Sequence, residues 1–69
     1  MIIKLPPATK AQVHHIECLF IDLYITDMFS RNEHLFEIIG REVEHVADLT
    51  VTEASRVIDY LKQWKEETK

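Results

Sequence analysis

Glycine and cysteine occur once each in the 69 residues, and proline only twice. So little glycine and proline leaves few places for hairpins or glycine-rich loops, and favours helices joined by short connections. A lone cysteine excludes an intrachain disulfide and suits a reducing compartment. No apolar run reaches the length of a membrane span, and Met1-Ile2-Ile3-Lys4 is too short and wrongly ordered for a signal peptide. The expected place is the cytosol, of a bacterium or of a phage-infected cell. A basic excess is missing as well: 12 Asp and Glu stand against 8 Lys and Arg, for a net charge of −4. That balance argues against nucleic acid as the main partner, because phosphate-binding surfaces show up as an excess of lysine and arginine. A chain this short hides only about 60% of the surface its unfolded form exposes, so a lone fold would be marginal.

What is present is helical pattern. The best-written stretch is Leu49–Trp64. Thr50 is an N-cap, Glu53 completes a capping box, and Leu49 with Ala54 forms a hydrophobic staple. Val51, Ala54, Val57, Ile58, Leu61 and Trp64 then recur on one face. Trp64 reads as a cover for the core, or else as an anchor for a partner.

Upstream, Pro6-Pro7 blocks helix and makes residues 1–8 an extended arm, leaving 9–69 as one helical domain. Thr9 and Gln12 form a second capping box, opening a helix expected to run to Tyr24 or Ile25. Val13, Ile16, Leu19, Phe20, Leu23 and Tyr24 make one broad apolar face of it. His14, Cys18, Ile21 and Ile25 make another, since at about 100° per residue they fall together. A helix apolar on more than one side is surrounded. This one is expected to be central, with its second face turned to a partner or a second copy. Thr26 to Phe29 reads as a connection. Ser30 with Glu33 reads as a third capping box, opening a helix to Ile39 that buries Leu35, Phe36, Ile38 and Ile39. Glu37 and Arg41 are spaced as an i,i+4 pair. Gly40 marks a break. Arg41–Ala47 is expected to form a short helical piece with Val43 and Val46 inward, and the last helix to fray over residues 65–69.

Candidate chemistry is sparse. His14 and Cys18, four apart, can share a metal, but two ligands are not a site, so neither metal nor cofactor is expected. Glu42 and His45 have the Glu-x-x-His spacing of di-iron bundles without the second motif and carboxylates such a centre needs. Cys18 lacks the setting of a nucleophile, and enzymatic activity is not expected. Arg56, Lys62 and Lys65 offer a modest basic edge, interrupted by Asp59 and Glu66, for an alternative reading as a small DNA-binding protein.

Thr9-Lys10-Ala11-Gln12, then Leu49-Thr50, Glu53-Ala54-Ser55, Ile58 and Leu61, resemble a small helical unit of phage proteins. The pattern is similar to the GemA-type regulators, and to C-terminal modules that follow single-strand annealing recombinases of the Erf, Rad52-like and RecT kinds. The resemblance spans most of residues 9 to 62. It implies work near phage DNA replication or recombination through protein contacts, and transfers no catalytic residue.

The expectation is an all-α chain: a small three-helix bundle with an extra short helical segment and an extended arm. It would act as a non-enzymatic interaction module, homodimeric or bound to another protein, through His14, Cys18, Ile21, Ile25, Met28 and Phe29.

Overall fold

The computed structural model describes residues 6–67. Three helices, α1 (Lys10–Asp22), α2 (Met28–Ile39) and α3 (Val51–Glu67), are joined by short connections, the second containing a single 3-10 turn at Val46–Asp48. The arm at residues 1–5 lies outside the described residues, so the placement of Ile2, Ile3 and Leu5 does too.

The two boxed caps form as the sequence specifies. Thr9 Oγ1 accepts the Gln12 N–H at 3.1 Å while Gln12 Oε1 accepts the Thr9 N–H at 3.0 Å. Thr50 and Glu53 exchange the same bonds at 3.2 and 3.0 Å. Gln12 also donates from Nε2 to the Val51 carbonyl at 3.2 Å, tying the start of α1 to the start of α3.

The end of the proline arm is held beside the same point. Pro7 faces Thr50 in an isolated antiparallel bridge. It is flanked by bonds from the Ala8 N–H to the Leu49 carbonyl (2.8 Å) and from the Val51 N–H to the Pro6 carbonyl (3.0 Å). Pro7 thus occupies the non-hydrogen-bonded position, where a residue without an N–H loses nothing. Thr50 is left free to give its N–H to Glu53.

The core comprises Ile16, Leu19 and Phe20 of α1, Ile25, Leu35 of α2, Val43 and Leu49 from the second connection, and Ala54, Val57 and Leu61 of α3. Leu49 and Ala54, the staple pair, are both fully buried. The shared element is α3, which packs on both α1 and α2, whereas α1 packs on α3 and the 3-10 turn. The expectation of a central first helix is corrected accordingly.

Four boundaries differ from the sequence reading. First, α1 ends at Asp22, because Tyr24 turns into the left-handed region at φ 63°. The Ile25 N–H bonds back to the Phe20 carbonyl (2.8 Å) and the Tyr24 N–H to that of Ile21 (3.0 Å). This pair of bonds is a Schellman termination, and the Ile25–Phe20 contact inside the core is its usual hydrophobic partner. Second, Asp27, not Ser30, caps α2: its carboxylate accepts the Ser30 N–H at 2.9 Å, which places Met28 and Phe29 in the first turn of the helix. Third, residues 41–45 are irregular and only Val46–Asp48 makes a helical turn. Here the Arg41 guanidinium reaches across to Glu53 and to the Asp48 carbonyl instead of pairing with Glu37. Val43 is buried and Val46 packs against the core, as expected. Fourth, α3 stays helical through Glu67, and residues 68 and 69, the rest of the stretch expected to fray, lie outside the described residues.

Candidate interaction surface

The residues expected to meet a partner are not all brought together. His14 is exposed and Cys18 half-buried, with Sγ and Nε2 3.5 Å apart. Ile21, one turn on, is exposed. Ile25 is 9% exposed and belongs to the core, which is a correction. The chain leaves helical phase at Tyr24, so the stripe reaching from His14 to Ile25 is cut before its last member. Tyr24, expected on the buried face, is 92% exposed for the same reason. Met28 and Phe29 are exposed, but on α2 rather than on a connection.

Phe36, read from the sequence as buried, is half exposed on the outer side of α2. It follows Phe29 by seven residues, two helical turns, so both rings project the same way. That repeat was the available signal, masked by treating Phe29 as loop. Below the two rings lies a groove of about 380 Å³, bounded by Asn32, Glu42, Val43 and Glu44. A second cleft of about 380 Å³ adjoins it, with Val13 and Glu17 of α1, Met28 of α2, and Val46 among its walls. Asn32 and Glu44 line both, so the two depressions form one surface, with Glu17, Glu42 and Glu44 on its walls and, in the second cleft, Arg31 and His45 as well.

Two carboxylates hold the frame of this surface. Arg41 grips Glu53 with both arms, Nε to Oε2 at 2.8 Å and a terminal nitrogen to Oε1 at 2.7 Å. The bond from Arg41, reinforced by Thr50, lowers the Glu53 carboxyl to about 2 although partial burial opposes it. Asp27 is lowered chiefly by the backbone N–H of Ser30. Across the corner, Arg31 donates from Nε to the Ile25 carbonyl at 3.0 Å and lies 5.5 Å from the centre of the Phe20 ring. α2 is thereby fastened to the end of α1.

The alternative basic edge is not assembled in one track. Lys65 is paired with Asp22 at 2.7 Å. Arg56, nine residues earlier, projects about half a turn away from it, beside Ser55 and Asp59. Lys62 shares a shallow depression with His15, Lys65 and Glu66. Glu42 and His45 lie on irregular backbone, so their helical spacing is not realised. Among the described residues no group of three or more His, Cys, Asp or Glu is placed to hold one metal ion, and no helix is long and apolar enough to cross a membrane.

Neither the family models, nor the curated proteins, nor the solved structures compared with this chain include a match to it.

Proposed function

We propose that this chain is a non-enzymatic protein-interaction module that receives an apolar segment with basic flanks from another protein. The observation carrying the reading is the joined surface on α2, with Phe29 (73% exposed) and Phe36 over Val43 and Val46, where Glu17, Glu42 and Glu44 outnumber Arg31, whose Nε is held by the Ile25 carbonyl, and His45. Exposed aromatic side chains over a groove gain most by being covered, and they anchor helix-in-groove contacts. The net acidic lining favours a basic occupant. The resemblance of residues 9–62 to phage modules directs the search for the partner to proteins of DNA replication or recombination, whose nucleic-acid surfaces are rich in the required basic side chains.

The test uses two amphipathic helical peptides with one leucine face, flanked in one case by lysine and arginine and in the other by glutamate. The lysine/arginine-flanked peptide is expected to bind, and Phe29→Ser with Phe36→Ser to abolish binding while leaving the helical circular dichroism in place. Equal binding of the two peptides, or binding indifferent to the phenylalanines, would overturn the reading. Sedimentation showing a dimer of the chain alone that the same substitutions dissociate would replace the proposed partner with a second copy.

A further inference from the structure

The other flank of α2 carries a different kind of site. At about 100° per residue, His34 and Glu37 fall on the opposite side of the buried Leu35–Ile38 face from Asn32 and Phe36. There α2 and the last turns of α3 bound an open groove of about 500 Å³, lined by His34, Glu37, Tyr60, Gln63, Trp64 and Glu67. Three of these are rings set at steep angles. His34 and Trp64 are 5.1 Å apart and inclined by 57°, and Tyr60 and Trp64 are 6.5 Å apart and inclined by 74°. Rings so inclined form a corner instead of a closed stack. Trp64 packs its inner part on the core, and Tyr60 is half exposed.

The groove also has a definite charge. Glu37 and Glu67 stand on it, one from each helix, and among the described residues no lysine or arginine lines it. Arg41, the residue spaced to neutralise Glu37, is held by Glu53 instead. Among the described residues neither Glu37 nor Glu67 makes an ion pair. Aromatic faces carry negative potential, and carboxylates beside them add to it, so both features ask for the same ligand.

We propose that this groove binds an arginine side chain presented by a partner protein. The planar guanidinium lies against the Trp64 and Tyr60 rings, and its forked N–H donors meet Glu37 and Glu67. Arginine suits the corner better than lysine because it is flat, weakly hydrated and able to serve two carboxylates at once. The same chemistry already operates inside the chain, where Arg31 lies over Phe20. The site is separate from the Phe29–Phe36 surface, and the proposal does not depend on that surface.

Trp64 is the only tryptophan of the chain, so its emission and its indole N–H resonance report this groove directly. The probes are blocked tripeptides with arginine, citrulline or trimethyllysine at the centre, titrated into the full chain. The arginine peptide is expected to move the Trp64 signals saturably, with citrulline, which keeps the shape but not the charge, needing about tenfold more. Glu37→Gln with Glu67→Gln is expected to weaken the arginine peptide by a similar factor and to leave the thermal melt unchanged, with each single variant giving part of the loss. Equal responses to arginine and citrulline, preference for trimethyllysine, or affinity untouched by the glutamine variants would each overturn the proposal. So would resonance changes centred on Phe29 and Phe36.

Discussion

Glu53 shows how much one side chain can be asked to do. It closes the capping box of α3 through the Thr50 N–H and receives both arms of Arg41, which in turn holds the Asp48 carbonyl. The box was legible because both of its partners lie within four residues of sequence. The ion pair was not, because Arg41 and Glu53 are twelve apart and nearer partners offered themselves. The consequence appears in the pH dependence. A carboxyl lowered to about 2 from an ordinary value of 4.5 stabilises the fold fully above 4.5, and that contribution is lost as the pH falls toward 2. Asp27, lowered by the cap of α2, acts in the same direction. Urea unfolding followed from pH 5 downward (roughly the onset of carboxylate protonation) should therefore show falling stability, and Glu53→Gln should flatten the fall. Glutamine still accepts the capping bond but no longer gains from ionisation, so only the slope belonging to Asp27 and the remaining acids persists. Parallel pH profiles for the two proteins would show that Arg41 contributes nothing through charge.

At the scale of the element, helix starts were easier to read than helix ends. Thr9 and Thr50 announce themselves by type and spacing, and Gly40 does the same for the end of α2, where its φ of 80° makes it the left-handed cap. The end of α1 carries no such mark. Tyr24 takes the left-handed conformation that glycine takes at position 40, and everything downstream of it is re-phased: Ile25 goes inside, and Asp27 reaches the cap before Ser30. The two helix ends form a natural pair of experiments. An L-residue in this conformation costs about 1–2 kcal/mol, while glycine costs about 0.5–1 kcal/mol through the freedom of the unfolded chain. Tyr24→Gly should therefore stabilise by a few tenths to about 1 kcal/mol, since the ring is almost wholly exposed and loses little burial. Gly40→Ala should destabilise by a similar amount. A Cβ there meets nothing within 4 Å, so the backbone alone sets the cost. Denaturation midpoints moving in the same direction for both variants would contradict the common origin.

For the whole molecule, the decisive asymmetry is between α2 and the rest. α1 and α3 each contribute three fully or nearly fully buried side chains, whereas α2 contributes only Leu35. Its other ties include the partly buried Ile38 and Ile39, the His34 ring against Trp64, and Arg31 reaching back to Ile25 and Phe20. Yet α2 carries Phe29 and Phe36 on one flank and His34 and Glu37 on the other, so the helix with the least core takes part in both surfaces for which a use is proposed. This is the arrangement expected of an element that completes its burial only when a partner arrives. Two measurements follow from it. Native-state hydrogen exchange should find the amides of α2 opening at lower free energy than those of α1 and α3, because freeing α2 exposes one buried leucine rather than three core side chains. Leu35→Ala should then cost about 2–5 kcal/mol by cavity formation. In a chain whose core can supply only about 3–5 kcal/mol in all, that loss should fall first on α2, lowering its protection before the α1–α3 pair melts. Uniform exchange across the three helices would mean that the bundle opens as one unit and that α2 is held by more than Leu35.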